Sequence, residues 1–265
     1  MQWLRGGGGS EDASMALIEI DGKILVDDNI TPPSLPNFPS TVVANKEAGF
    51  SVVSYIGNET SGQAYAHGLD KQPELVISKN RTASEYWMVW AQPVADHEGD
   101  QDSVIFLNVN NIAQSGGSNA NYFNGASTHT VRVGSATNCN EATNPGIISY
   151  CFHSVPGYQK IGRYKGNSSA SGTYVECGFR PRFIMIKCID NAQNWIQFDT
   201  TRGEYNIKTP HLHPNLANVQ VDNSDWLDIT ATGFKLRANL SETNGAYEYL
   251  FYAVAESPFK SARAR

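Results

Sequence analysis

At 265 residues the chain is long enough for one large or two ordinary domains, and only 17% of it is charged. A net charge of −6 and a pI near 5.5 exclude nucleic acid as the main partner, because phosphate binding needs a basic face. The 12 Tyr, 11 Phe and 5 Trp, set among abundant Gly, Asn, Ser and Thr, point to a β-rich protein with many turns.

Residues 1–48 differ in kind from the rest. MQWLRGGGGSEDAS holds no apolar stretch of signal-peptide type, and no later run is long enough for membrane insertion. MALIEIDGKILVDDNI predicts a hairpin around Asp21-Gly22, and TPPSLPNFP predicts an extended Pro-rich linker. The bland alternative is a disordered tail. Leu17, Ile18, Ile20, Ile24, Leu25 and Val26 favour a docking arm instead, since so short a hairpin is unstable alone in water.

From residue 49 the segments FSVVSY, ELVISKN, YWMVWA, SVIFLNV, HTVRVG and IISYCFHSV read as strands separated by Gly, Asn, Pro or Asp turns. QKIGRY, TYVECGF, FIMIKCI, WIQFD, FKLRANL and YEYLFYAV follow in the same manner. ELVISKN and FIMIKCI are nearly continuous apolar runs, as expected of strands buried on both faces or at a sandwich centre. No window gives an amphipathic helix of a dozen residues.

The two sets are copies. Tyr55 recurs as Tyr164 at an offset of 109, and Lys79 as Lys187 and Trp87 as Trp195 at 108. Tyr150, Phe152 and Val155 match Tyr249, Phe251 and Val254 at 99. The shorter offset reflects a Gly/Ser/Asn-rich insert, QSGGSNANYFNG, in the first copy. The expected fold is all-β: an arm (1–48), then two tandem, related jelly-roll-like β-sandwiches (49–156 and 157–265), separate or fused into one pseudo-symmetric body.

Candidate chemistry is sparse. Lys187 belongs to the repeated framework, while Asp199 and Arg202 lie in the second copy alone and read as a pinned turn. His211 and His213 have a spacing compatible with a metal, but no Cys or acidic residue stands close in sequence. Asp96, His97, Glu98, Asp100 and Asp102 lack the spacing of a calcium loop and read as a solvated loop. No GxSxG, Walker or HExxH pattern occurs. No catalytic residue, metal or cofactor is therefore expected. Cys139, Cys151, Cys177 and Cys188 show no CxxC spacing and read as thiols rather than disulfides. The best ligand-binding stretch is Asn119, Asn121, Tyr122, Phe123 and Asn124 in the insert, where aromatic and amide groups suit sugar rings. A loop buried against a neighbouring subunit is the competing reading.

The order of motifs carries a resemblance. Y-x-G-N, P-x-[FL]-[IV]-x2-K and a Trp strand are followed by DTTRG, TGFKLR, NGAYEYLFYAVAE and SPFKSARAR. This resembles the duplicated β-sandwich module of tail-fibre and other virion proteins of tailed bacteriophages, especially those of marine and cyanobacterial hosts. It covers about four fifths of the chain and omits the arm. The resemblance implies a lectin-like, non-enzymatic virion part, made in the host cytoplasm, that binds host surface glycan or protein. It also implies a homo-oligomer, with a trimer as the expected order, joined to other phage tail or virion proteins through the arm. Capsid decoration or a purely structural tail role is the main alternative, and a depolymerase of host polysaccharide the second.

Overall fold

In FSVVSY the side chains of Ser51, Val53 and Tyr55 are buried and their neighbours half-exposed, the period-2 pattern of a strand with one face in a core. The structure, a computed structural model, describes Glu19–Ile20 and Lys23–Ile24 as backbone, and residues 36–114, 122–203 and 205–258. Strands β1 (Glu19–Ile20) and β2 (Lys23–Ile24) pair antiparallel, Ile20 with Lys23, the register expected of a hairpin centred on 21–22.

The first unit runs β3 (Ser40–Asn45), β4 (Phe50–Tyr55), β5 (Gln63–Ala66), β6 (Leu75–Asn80), β7 (Met88–Ala91) and helix α1 (Gln92–Glu98). It continues with β8 (Val104–Phe106), β9 (Phe123–Ala126), β10 (Thr130–Val133), helix α2 (Thr137–Asn140) and β11 (Ile147–Phe152). The second runs β12 (Gln159–Lys165), β13 (Tyr174–Glu176), β14 (Pro181–Cys188) and β15 (Ile196–Asp199). It ends with β16 (Lys208–His211), β17 (Val221–Ile229), β18 (Gly233–Leu236) and β19 (Glu248–Ala255).

Strand order repeats. The large sheet of the first unit is β3-β4-β11-β6-β7-β8, and the corresponding sheet of the second is β12-β19-β14-β15. Opposite them lie β5-β10-β9 and β13-β18-β17-β16. The fold is all-β, four antiparallel sheets in two related sandwiches.

Pairing corrects two sequence readings. Tyr55 faces Ile147 and Tyr164 faces Tyr249, so β11 and β19 correspond at an offset of 102. The offset of 99 differs by an odd number, which would turn every side chain of the strand to the wrong face. The aromatic residues of both strands allowed either alignment. The second correction is a boundary. Residues 40–45, assigned to the arm, pair with β4 along their whole length, and Phe38 is buried in the first core and stacks on Tyr55 at 5.3 Å.

Three cores hold the four sheets together. One fills the first sandwich around Trp90, Val53 and Phe123, and another fills the second around Phe198, Phe234 and Tyr249. The third lies between the two large sheets, where Leu75, Val89 and Ile105 meet Ile161, Met185, Trp195 and Leu250. Strands β6 and β14 are therefore buried on both faces, which explains their apolar runs. The Trp195 indole N–H donates to the Phe106 carbonyl oxygen at 2.8 Å, and the Ala113 N–H to that of Ile189 at 3.0 Å, both across the units. All four cysteines are buried thiols, and burial pushes Cys151 and Cys177 up to about 12.

The Y-x-G-N motif builds the same network twice. Tyr55 Oη donates to the Cys139 carbonyl oxygen at 2.6 Å, and Tyr164 Oη to that of Thr243 at 2.6 Å. The next residues, Asn140 and Asn244, are fully buried. Their Oδ1 atoms accept the N–H groups of Asn58 (2.8 Å) and Asn167 (3.1 Å). Their Nδ2 groups donate to the carbonyls of Thr60 and Gly134 in one copy and of Ser169 and Ala238 in the other. The motif glycine makes room: a Cβ on Gly57 would lie 2.2 Å from Asn140 Oδ1, and one on Gly166 2.0 Å from the Gly245 oxygen.

Replacing Asn140 or Asn244 with Ala strands several buried backbone groups at once. Each change should lower unfolding free energy by about 2–4 kcal/mol in urea titration. The two costs should be similar, because the two networks are the same.

Candidate functional site

The insert joins the first sandwich at one end of β9. Residues 115–121, including Asn119 and Asn121, lie outside the described residues. Beside them the sequence expectation divides. Phe123 is fully buried in the first core, so it is a framework residue and is unavailable to a ligand. Its alternation within β9 puts it inward, a direction that a Gly/Asn-rich sequence hides. Tyr122 and Asn124 are half-buried.

Tyr122 meets Phe106 edge-on at 5.9 Å, and the half-exposed Tyr86 also packs on Phe106, at 5.1 Å. Asp102 accepts the Tyr122 N–H at 3.1 Å, and burial pushes its carboxyl up to about 6 despite that bond. The result is a surface with two tyrosines, a carboxylate and the exposed Asn108. Sequence reasoning found Tyr122 and missed Tyr86, whose equivalent in the repeat is Asn194, hydrogen-bonded to Asn215. That mismatch between copies was the available signal.

Only part of the acidic run is a loop: Asp100 and Asp102 lie in the turn that follows a short helix. Asp96, His97 and Glu98 lie on α1, which ends at Gly99 with φ 69°. Arg163 Nη1 donates to His97 Nδ1 at 2.8 Å, so Nε2–H donates to Asp190 Oδ1 at 2.6 Å. Glu98 Oε1 is 3.9 Å from Nε2. His97, Glu98 and Asp190 are close enough to hold a metal ion, yet both ring nitrogens are already engaged and a guanidinium adjoins them. The arrangement acts as a polar clasp between the units.

His211 and His213 have ring centroids 5.0 Å apart, and His211 packs on Trp226 at 4.6 Å. Burial lowers the pKa of both. They belong to none of the potential metal clusters among the described residues. Pro210 and His211 sit in β16. Asp199 Oδ1 accepts the Thr201 and Arg202 N–H groups while Oδ2 accepts the Arg202 guanidinium, a closed turn.

A cleft of about 380 Å³ is lined by Lys71, Gln72, Glu74, Gln92, His153 and Ser154. Its serine and histidine do not form a nucleophile pair. Ser154 Oγ donates to Glu74 Oε2, and His153 Nδ1 faces the Ser154 carbonyl at 3.0 Å. Of the arm residues, Ile20 and Ile24 lie on β2's pairing with β1, while Leu17, Ile18, Leu25 and Val26 lie outside the described residues.

Over residues 35–258 the chain matches the family described as a domain of unknown function, DUF7483. The chain belongs to the DUF7483 family. The match begins where Phe38 and β3 join the first sandwich and spans both units, so the DUF7483 domain comprises the pair of sandwiches. No match was found among curated proteins or among solved structures.

Lys187 occupies the penultimate position of β14, as Lys79 does in β6, and each donates to the carbonyl oxygen of the following residue, at 2.7 and 2.9 Å. Lys187 is fully buried, and burial lowers its pKa to about 8. The unfolded chain therefore holds more protons between pH 8 and 10.5, and folding gains stability as pH rises through that window. Relative to Lys187→Met, the wild type should gain on the order of 1–3 kcal/mol from pH 8 to 10.5 in denaturant titrations.

Proposed function

We propose that the protein is a non-enzymatic bacteriophage virion component, a tail-fibre or other host-facing adhesin that binds host surface glycan or protein. The observation that carries this reading is the division of labour between the copies. The shared motifs Tyr55-x-Gly57-Asn58 and Tyr164-x-Gly166-Asn167 serve the framework, while the exposed difference, Tyr86 beside Tyr122, stands next to the insert that only the first copy has. Rings flanked by amides and a carboxylate suit a sugar, because C–H faces stack on aromatic groups and hydroxyls take the polar contacts.

Saturable binding of the full chain to host envelope material is the expected result, with loss of at least tenfold in affinity on deleting residues 116–120. That deletion leaves Phe123 in its core. Retention on the particle without envelope binding would instead favour a structural or capsid-decorating part.

The arm supplies self-association in this reading, with a trimer as the expected order and other tail proteins as further partners. Light scattering should give a trimer for the full chain and a monomer for a chain starting at Leu35. An unchanged trimer after truncation would place the contacts in the sandwiches.

A further inference from the structure

A second concave site lies at the entry of β3, with a volume of about 310 Å³. That is near the low end for small-molecule sites, about 300–1,000 Å³, and suits one ring. Pro39, Pro145 and Ile56 form its apolar walls, Ile56 being 44% exposed. Thr41 and Ser54 contribute hydroxyls, and Arg81 contributes the charge.

Arg81 is held in place. Its Nη2 donates to Ser54 Oγ at 2.9 Å and to the Pro145 carbonyl oxygen, and its backbone N–H donates to Gly146 at 2.9 Å. Among the described residues no carboxylate lies within ion-pair distance of this guanidinium, in a chain of net charge −6. Its Nη1 and Nε groups make no hydrogen bond among the described residues. A fixed guanidinium with donors to spare is suited to a carboxylate.

The repeat gives a second argument. Arg81 corresponds to Ile189, whose N–H bonds the Glu248 carbonyl as that of Arg81 bonds Gly146. In the second unit this corner is filled: Ile189 is buried in the inter-unit core and its carbonyl takes the Ala113 N–H. The same corner of the first unit is open and carries the charge.

We infer that the cleft around Arg81 binds a single acidic sugar residue, its carboxylate on the guanidinium, its hydroxyls on Thr41 and Ser54, and its C–H face on the proline and isoleucine walls. A sugar is favoured over a peptide carboxyl terminus because the apolar surface is spread over two proline rings and one Ile rather than gathered for one side chain. The choice of sugar rests on the glycan-binding reading, but the site uses no residue of the insert.

Isothermal titration of the full chain with sodium galacturonate and glucuronate should give saturable binding that weakens with added salt. Neutral galactose and glucose should bind at least tenfold more weakly. Arg81→Gln should lose at least tenfold while keeping its melting temperature. Ile56→Glu, which leaves Arg81 in place and adds a negative wall, should lose as much. No saturation by either uronate, equal binding of neutral sugars, tighter binding of inorganic phosphate or of a short peptide acid, or unchanged binding in both variants would each overturn the inference. The 116–120 deletion should bind uronate normally, so failure here and failure of the adhesin reading are separable.

Discussion

The fold depends on one buried asparagine, used twice. In each sandwich the side chain of Asn140 or Asn244 supplies the partners that neighbouring loop backbones would otherwise lack. Loops crossing the end of a sandwich cannot satisfy each other's N–H and C=O groups by strand pairing. One amide with an acceptor and two donors can serve three of them at once. Tyr55 and Tyr164 lock the residue before it, and the motif glycines let the chains approach. This explains why Y-x-G-N survives in both copies while the surrounding loops differ.

With each sandwich closed at that end, the outer faces of the large sheets are free to pack on each other. The contact is not two surfaces merely touching. Trp195 seats its ring in the shared core and ties its indole N–H to Phe106, while Lys187 reaches the Asn110 carbonyl at 3.4 Å. Trp87, at the equivalent position, keeps the backbone bond to Asn108 that Trp195 makes to Asn215, but is only half-buried. Duplication supplied two equal modules, and packing made them unequal. The open corner at Arg81 and the exposed Tyr86 are products of that inequality.

Much of this was legible in the sequence where side chains are large and apolar. FSVVSY, FIMIKCI and YEYLFYAV declared themselves because burial on one or both faces leaves a pattern. β9 and β16 did not, since FNGA and KTPH mix polar, Gly and Pro residues and owe their pairing to neighbours. The lysine and tryptophan matches gave the repeat, yet the two aromatic residues of β11, Tyr150 and Phe152, fitted two registers, and only the hydrogen-bond ladder separates them. At the candidate site, Tyr122 was visible as composition. Phe123 looked the same and is core, because alternation within a four-residue strand cannot be read beside a Gly/Ser/Asn-rich insert. Arg81 carried no signal at all, as its isolation from carboxylates is a fact of three dimensions.

The four thiols have a consequence for how the protein meets oxidants. Oxidants attack the thiolate, and a thiol that is both covered and held protonated offers very little of it. Burial does both at Cys139, Cys151, Cys177 and Cys188. Passage from reducing to aerated surroundings would therefore neither form a cross-link nor break one. As far as its thiols are concerned, the architecture is indifferent to the redox poise around it.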